Sequence, residues 1–331
     1  MKKLSKETKR LTKIKNQIKK IEAKAKERKI YSKIDELPRG HASNTITDGV
    51  ILLQGGAFRG VYTSGVLDYL MLNDINFKTV IGVSAGALNG MNYVSGDIGR
   101  SALINLEHRH DPSWIGYKAL RCKENNGFIG FSYVFKDFNR EYPFSIDKFF
   151  DGKRELLVSA TSLKDGKNYY FKNESKTIYH AVMASASMPY ISKPVFIDKI
   201  PYLDGGCYDS LPIDYVINNY KDKKIVVVLT RPLSFRLLLK DNKRLDAINN
   251  RIYRRYPEFV KALKNMDPKF NESFNTVERL FNEGKIFVIA PSENVTVTRL
   301  ERDVEKLGDL YQLGYNDMKN NLDKLKEYLN K

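Results

Sequence analysis

The chain has 331 residues, of which 42% are hydrophobic and 11% are aromatic, which is typical of a globular protein and excludes a disordered or fibrous one. Two cysteines are too few for a disulfide framework, and no apolar run reaches the roughly 20 residues of a membrane span. The net charge of +17 is uneven, because residues 1–30 hold 13 Lys and Arg against three Glu and so carry +10 of it. Lysines interrupt the N-terminal segment where a signal peptide needs an apolar run, so we expect a cytoplasmic protein.

Residues 1–30 predict a basic amphipathic helix. Apolar side chains recur there at spacings of three, four and seven on a lysine-rich background, namely Leu4, Leu11, Ile14, Ile18, Ile21 and Ala25. A solvated helix, which packs on the body or on another copy, and attachment to an anionic membrane surface are both open; nucleic-acid binding is not expected. Residues 31–47 contain turn-forming residues in place of the apolar pattern and predict a linker.

Residues 48–235 alternate between short apolar strands and helices. Strands are predicted at 50–54, 79–83, 155–163, 167–172 and 224–232, and helices at 62–72, 84–96 and 178–187. Continuous apolar strands between helices are typical of a mostly parallel sheet that is covered on both faces. We therefore predict a three-layer α/β/α catalytic domain.

The last part of the chain, residues 236–331, predicts a mainly helical region that packs on this core. It contains one apolar segment with strand character, residues 284–291, and a final helix from about residue 298 to 329.

A nucleophile elbow is predicted at residues 82–86. They read Gly82, Val83, Ser84, Ala85 and Gly86, a G-x-S-x-G pattern with a strand before it and a helix after it. In such an elbow the serine occupies a strained turn, from which its hydroxyl projects. The alternative is a tight turn in which the serine only caps the helix. The position between strand and helix favours Ser84 as a nucleophile.

A serine nucleophile needs a base within hydrogen-bond reach. The chain has four histidines, and none lies near its end, where an α/β-hydrolase triad would have one: His41, His108, His110 and His180. We expect His180 to pack or to cap an apolar helix. The remaining candidate is Asp204, because it ends a short apolar strand and precedes Gly205 and Gly206, which allow close approach of other backbone. Taken alone, D-G-G is also an ordinary turn.

The glycine-rich turn at residues 55–60 joins the first strand to its helix. It is not a Walker A loop, because Val61 and Tyr62 stand where Lys and Ser or Thr are needed. It is not a dinucleotide fingerprint either, because Ala57 stands where that motif needs glycine. The remaining interpretation is an array of backbone N–H donors, from Gly55 to Phe58, that forms an oxyanion hole.

The three pieces in this order, GGAFRG, GVSAG and DGG, resemble the patatin-like phospholipase family, which includes the plant patatins and is similar to the catalytic domain of cytosolic phospholipase A2. The resemblance covers about residues 48–215, and residues 286–318 resemble the tail of bacterial members. It implies a Ser–Asp dyad that hydrolyses acyl esters on a three-layer α/β fold without a metal or a cofactor. We also find no calcium loop of the D-x-D-x-D-G type.

Carried over by motif, the resemblance implies that Ser84 is the nucleophile and Asp204 the general base. Gly55, Gly56 and Ala57 would form the oxyanion-hole segment. The remaining motif positions are Phe58, Arg59, Gly60, Gly82, Gly86, Gly205 and Gly206. The family commonly has a third glycine where this chain has Ala57, and the oxyanion hole survives that change if the φ of Ala57 is negative.

The function implied is that of a phospholipase A or lysophospholipase, in the cytoplasm and peripheral at the membrane. Two alternatives stay open. One is acyl transfer on the same fold, although such relatives use a histidine partner. The other is a catalytically weak membrane-associated protein, which the intact Ser84, Asp204 and glycine turn count against. Head group, acyl chain and oligomeric state are not indicated by the sequence.

Overall fold

The computed structural model of the chain describes residues 30–125 and 127–331. Residues 1–29 lie outside the described residues, so the basic amphipathic helix expected there stays a prediction. The segment expected to be a linker packs against the body of the protein. Its residues Tyr31, Leu37 and Ala42 are buried in the hydrophobic core of that body. The N–H of Tyr31 also donates a hydrogen bond of 3.0 Å to the carbonyl oxygen of Leu106.

Ten strands are described. In chain order they are β1 (Gly40–His41), β2 (Thr47–Leu53), β3 (Phe77–Val83), β4 (Asp97–Ile98), β5 (Glu155–Ser162), β6 (Asn168–Lys172), β7 (Val195–Ile197), β8 (Ile200–Asp204), β9 (Ile225–Val228) and β10 (Phe287–Ile289). Eight of them form the central sheet in the spatial order β10-β9-β2-β3-β5-β8-β7, with β6 also paired to β5. Neighbours from β10 to β5 are parallel, and β6, β7 and β8 pair antiparallel. The predicted mostly parallel sheet is confirmed.

Helices flank the sheet. Within the described residues they are α1 (Gly60–Leu72), α2 (Ala85–Ser95), α3 (Arg100–Leu106), α4 (Tyr117–Arg121), α5 (Phe131–Phe135), α6 (Asp137–Glu141), α7 (Ile146–Phe149), α8 (Thr177–Ser185), α9 (Ile213–Asn219), α10 (Lys243–Ile252), α11 (Pro257–Asn282) and α12 (Val304–Asn330). None of these helices has both the length and the apolar character that crossing a bilayer requires.

The two faces of the sheet belong to different hydrophobic clusters. Along β2, Ile51 and Leu53 enter one cluster, whereas Val50 and Leu52 enter the other. Successive side chains of a strand point to opposite faces, so an unbroken apolar run is the expected sequence of a strand that is covered on both sides.

The last helix, α12, packs along α1. The Tyr62 hydroxyl of α1 donates a 2.9 Å hydrogen bond to Asp317 of α12, and the Tyr311 hydroxyl of α12 donates a 2.9 Å bond to Asp68 of α1. Burial raises the pKa of Asp68 to about 7, against the hydrogen bonds from Gly99 and Tyr311 that lower it. The C-terminal region thus holds the helix that follows the glycine turn.

Two glycines bring the backbones of α1 and α12 into contact. A Cβ atom on Gly65 would collide with the carbonyl oxygen of Tyr311, and one on Gly314 would collide with that of Tyr62. The region after residue 235 also supplies β10, the strand next to β9 at the edge of the central sheet. The division of the chain at residue 235 stays a prediction.

Candidate active site

Strand β5 brings the ends of β3 and β8 together. Along one edge of β5, β3 pairs as far as Val83 opposite Ser159, and β8 continues with Asp204 opposite Ala160. Strand β6 pairs with Ser159 and Ala160 along the other edge, so β3 and β8 must share the first one. Because Ser84 follows Val83 directly, the pairing places it beside Asp204.

The hydroxyl of Ser84 donates a hydrogen bond of 2.7 Å to Asp204 Oδ2. Ser84 has φ 54° and ψ −119°, a left-handed backbone conformation that is strained in any residue with a side chain. It stands at the start of α2, yet its side chain makes no capping hydrogen bond to that helix. The hydroxyl is therefore directed to the carboxylate.

Small residues around Ser84 allow the turn. A Cβ atom on Gly82 would lie 2.6 Å from the carbonyl oxygen of Gly86, and one on Gly86 would collide with the carbonyl oxygen of Leu53. A Cβ atom on Gly60 would lie 2.7 Å from the methyl group of Ala85. The starts of α1 and α2 can approach each other and the strand ends because these side chains are absent.

A serine from helix α8 supports the turn from outside it. The main-chain N–H of Ser84 donates a hydrogen bond of 2.8 Å to Ser185 Oγ, and Ser185 is fully buried at the end of α8. The sequence analysis missed Ser185, because a serine at the end of an apolar helix carries no local signal of such a distant contact.

Asp204 is 7% exposed and has two hydrogen-bond donors. Its Oδ2 accepts from the Ser84 hydroxyl, and its Oδ1 accepts from the Gly206 N–H at 2.7 Å. Burial raises the pKa of Asp204 to about 6, although these hydrogen bonds and the positive charge of Arg299 lower it. Most Asp204 side chains are therefore ionised at pH 7, and they accept a proton more readily than a free aspartate with a pKa near 3.9 does.

The glycine next to Asp204 is also crowded. A Cβ atom on Gly205 would collide with the carbonyl oxygen of Ser159 on β5. The Thr161 hydroxyl donates hydrogen bonds of 2.9 and 3.2 Å to the carbonyl oxygens of Asp204 and Gly205. The D-G-G segment is thus fixed against β5 rather than formed as a free surface turn.

The glycine turn offers fewer N–H donors than the sequence suggests. The Gly55 N–H donates a 3.1 Å hydrogen bond to the carbonyl oxygen of Ser210, so it is engaged within the protein. Gly56 and Ala57 begin a 3-10 turn, Ala57–Arg59, and the first N–H groups of a helix have no partner inside it. In residues 30–125 and 127–331, neither N–H donates to another backbone carbonyl. Of the array expected from Gly55 to Phe58, the Gly55 N–H is thus engaged within the protein, and an oxyanion hole formed by the others stays a prediction.

Ala57 has a positive φ of 51°, not the negative φ that the sequence analysis required. An L-residue in the left-handed region carries roughly 1–2 kcal/mol of conformational energy, whereas glycine adopts it freely. This conformation accounts for the glycine that the family commonly has here. Ala57 and Phe58 both line the cavity beside Ser84.

None of the four histidines is hydrogen-bonded to Ser84. His41 Nδ1 lies 3.3 Å from Asp97, His108 Nδ1 lies 2.8 Å from the Tyr133 hydroxyl, and His110 is half-buried. His180 is exposed within α8 rather than packed or capping, because the helix begins three residues earlier.

One group of metal-ligand residue types occurs in the described part of the chain. Atoms of Glu107, His108 and Glu141 lie within 4.8 Å of one another, and none of these residues lines the cavity at Ser84. The Tyr142 hydroxyl donates a 2.6 Å hydrogen bond to Glu107, and Tyr133 binds His108. These hydrogen bonds engage Glu107 and His108 Nδ1, whereas the buried His108 Nε2, which faces the two carboxylates, has no hydrogen-bond partner among the described residues.

An apolar cavity with a volume of about 110 Å³ opens beside Ser84. Its walls come from residues 57–138, 186–191 and 299–300, and they include Phe58, Leu88, Ile104, Trp114, Phe138 and Ile191. Pockets with such walls accommodate hydrocarbon groups. The sequence analysis did not assign these residues, because they come from many separate elements.

Three arginines give the site a positive charge. Arg59 directly follows the glycine turn and is 9% exposed, and its buried Nε has no hydrogen-bond partner among the described residues. Burial, together with repulsion from Arg231 and Arg299, lowers the pKa of Arg59 to about 9. Arg231 is anchored by a 2.6 Å hydrogen bond to the carbonyl oxygen of Val295, and Arg299 lines the cavity.

Comparisons with known proteins identify relatives of this chain. The patatin-like phospholipase family model matches residues 51–217, and a domain of unknown function, DUF6363, matches residues 256–330. The uncharacterized protein YjjU of Escherichia coli (strain K12) is 23% identical over 273 residues, which are 80% of this chain and 74% of YjjU. The probable lipid hydrolase 463L of Invertebrate iridescent virus 6 is 26% identical over 249 residues, which are 69% of this chain and 86% of 463L.

Among solved structures, the crystal structure of VipD from Legionella pneumophila matches with a TM-score of 0.45 and 12% identity, over 83% of this chain and 67% of that chain. The patatin-like match covers half of the chain and includes the glycine turn, the Ser84 turn and Asp204. It supports an esterase- or lipase-type hydrolase with a lipid or another acyl ester as substrate. The resemblance that the three motifs indicated is confirmed, and the chain belongs to the patatin-like phospholipase family.

Proposed function

We propose that the chain is a lipid acyl hydrolase of the phospholipase A or lysophospholipase type, with Ser84 as nucleophile and Asp204 as general base. The observation that carries the proposal is the 2.7 Å hydrogen bond from the Ser84 hydroxyl to Asp204 beside an apolar cavity. The family match and the description of the viral relative as a probable lipid hydrolase support a lipid ester as substrate.

In the first half-reaction, Ser84 Oγ forms a bond to the ester carbonyl carbon while its proton moves to Asp204 Oδ2. The carbonyl oxygen becomes an oxyanion, to which Gly56 and Ala57 donate hydrogen bonds from their N–H groups. The N-terminus of α2, directly after Ser84, adds favourable potential. When the tetrahedral intermediate collapses, the carbon–oxygen bond to the alcohol breaks and Asp204 returns the proton to it.

The second half-reaction releases the acyl group. Asp204 takes a proton from a water molecule, whose oxygen attacks the acyl-Ser84 ester, and the same oxyanion donors stabilise the second intermediate. The Ser84 oxygen then leaves and regains its proton from Asp204. The apolar cavity holds the acyl chain throughout, because its walls are mainly hydrocarbon.

The proposal is tested by labelling with a fluorophosphonate probe, which forms a covalent bond to activated serines. We expect label on the wild type, none on Ser84→Ala, and much slower labelling of Asp204→Asn. The same proteins are then assayed for fatty-acid release from phosphatidylcholine and from lysophosphatidylcholine. An unlabelled wild type, or a labelled Ser84→Ala variant, contradicts the proposal, and a wild type that moves the acyl group only to an added alcohol indicates acyl transfer instead.

A further inference from the structure

Five large aliphatic side chains are exposed within one short segment of the C-terminal region. The exposed fractions are 81% for Leu238, 57% for Leu239, 40% for Leu245, 48% for Ile248 and 52% for Ile252. Single exposed leucines are ordinary on protein surfaces, but a contiguous apolar patch indicates a contact surface. We name the exposed surface of residues 238–252 the docking face.

Helix α10 carries three of the five exposed aliphatic residues of the docking face. Leu245, Ile248 and Ile252 are spaced by three and four residues, so they form one stripe along the helix. Asn249 and Tyr253 are buried on the side that packs on the protein. The apolar stripe is exposed, whereas Asn249 and Tyr253 beside it make the contact with the body.

Basic residues surround the stripe. The segment from 238 to 256 contains six cations and two acidic residues, Asp241 and Asp246. The cations are Lys240, Lys243, Arg244, Arg251, Arg254 and Arg255; all are exposed, and none forms an ion pair with a residue of the described ranges. Arg244 and Arg251 are seven residues apart, so they lie along the same border of the stripe.

The docking face is connected to the wall of the cavity. The Tyr190 hydroxyl donates a hydrogen bond to Asn249 of α10, and the Tyr190 N–H donates a 3.3 Å bond to the Tyr253 hydroxyl. Tyr190 belongs to the same loop as Met188 and Ile191, and both of these residues line the cavity beside Ser84. The loop that contributes to the cavity wall thus also contacts α10.

We propose that the docking face is the surface by which the protein lies on an anionic lipid bilayer. The leucines and isoleucines would enter the boundary between head groups and acyl chains, and the flanking arginines would contact lipid phosphates. Exposed aliphatic side chains with a net basic border fit this partner. A second copy fits worse, because self-pairing would bring six cations against six cations. Residues 1–30 of the same chain also fit worse as the occupant, because their net charge of +10 would be repelled by these cations.

Flotation of the full chain with vesicles tests the proposal. Vesicles of phosphatidylcholine alone are compared with vesicles that also contain phosphatidylglycerol, at low and at high salt. The variants are Ile248→Ser/Ile252→Ser and Arg244→Gln/Arg251→Gln. The matched controls are Leu72→Ser/Phe196→Ser, which change exposed apolar residues elsewhere, and Lys319→Gln/Lys324→Gln on α12.

We expect strong binding only to the anionic vesicles, and weaker binding at high salt. Each cation near an anionic surface changes the partition coefficient roughly fivefold, so the arginine pair should lose at least about tenfold, as should the isoleucine pair. Both controls should bind like the wild type. The proposal is overturned if either docking-face variant binds within twofold of the wild type, or if the isoleucine variant only converts a dimer to a monomer in gel filtration.

Activity provides a second readout. The rate on vesicle phospholipid is divided by the rate of the same preparation on a soluble short-chain ester, and this ratio should fall for both docking-face variants. Unchanged thermal midpoints verify folding. Vesicle binding is measurable even if the wild type hydrolyses neither substrate, so failure of the proposed hydrolase activity and failure of the docking face give different results.

Discussion

The main-chain N–H of Ser84 and the side chain of Ser185 are joined by a 2.8 Å hydrogen bond across 101 residues of sequence. The bond satisfies a buried N–H in a turn with a left-handed φ. Ser185→Ala leaves this N–H without a partner, which should lower the free energy of unfolding by about 1–3 kcal/mol. It should also lower kcat on a soluble ester, because the orientation of Ser84 relaxes.

Urea denaturation and steady-state kinetics of Ser185→Ala measure both effects. Ser187→Ala is the control, since the Ser187 hydroxyl, just beyond the end of α8, donates to the carbonyl oxygen of Met183 and should matter less for kcat. Equal kcat values for wild type and Ser185→Ala would show that Ser185 does not position the nucleophile.

The pH dependence of hydrolysis should report on Asp204. A general base must be ionised, so kcat/KM on a soluble ester should rise with pH through about 6, the pKa to which burial raises this carboxyl. Arg299→Met removes a positive charge that lowers this pKa, so the rise should move to higher pH. Arg302→Met, an exposed neighbour in the same segment, is the control and should leave the profile in place. A downward shift in Arg299→Met would contradict the assignment.

Asp204 should also reduce stability at neutral pH. A carboxyl whose pKa is raised from 3.8 to about 6 on folding binds more protons in the folded state, so its contribution to stability is lost as pH rises through that interval. Asp204→Asn should therefore be more stable than the wild type at pH 8, by on the order of 2–3 kcal/mol. Near pH 4 the difference should vanish. Chemical denaturation at the two pH values tests this, and a variant that is less stable at pH 8 would refute it.

The contact between α1 and α12 should tolerate no side chain at Gly314. A Cβ atom there would collide with the Tyr62 carbonyl oxygen, and backbone cannot yield as a side chain does. Gly314→Ala should lower the free energy of unfolding by roughly 2–3 kcal/mol despite the better helix propensity of alanine. Asn316→Ala, on the exposed side of the same helix, should change it by less than about 0.5 kcal/mol. Calorimetry measures the free energy of unfolding of both variants, and equal changes in the two would contradict the prediction.

Ala57→Gly should stabilise the protein. Glycine adopts a φ of 51° without the strain that alanine carries, and this gain exceeds its larger loss of chain entropy by roughly 0.5–1 kcal/mol. Ala186, which also lines the cavity but has φ −98°, provides the opposite case, since Ala186→Gly should destabilise. If both variants lose stability equally in urea denaturation, the φ of Ala57 is not a source of strain.

The parts of the site that local sequence encodes could be predicted. The apolar run of β2, the glycine turn and the G-x-S-x-G elbow each depend on residues within about ten positions, and periodicity with turn chemistry identifies them. The same signals predicted most of the described strands but only four of the twelve described helices, α1, α2, α8 and α12, with ends that differ by a few residues.

The parts that depend on pairing between distant segments could not be predicted. The engagement of the Gly55 N–H by Ser210, the contact of Ser185 with Ser84 and the position of β10 beside β9 all join segments that are far apart in the chain. No residue pattern near these positions specifies those contacts. The positive φ of Ala57 was missed for a similar reason, because the surrounding backbone imposes it on a residue that would not choose it.

The order in which the parts of the cavity occur along the chain has a consequence for synthesis. Ser84 and Asp204 emerge from the ribosome first, whereas Arg299 and Leu300, which complete the cavity wall, and α12, which holds α1, emerge much later. A growing chain that already contains the serine and the aspartate thus lacks its finished substrate site. We expect the proposed lipid cleavage to begin only after α12 has left the exit tunnel.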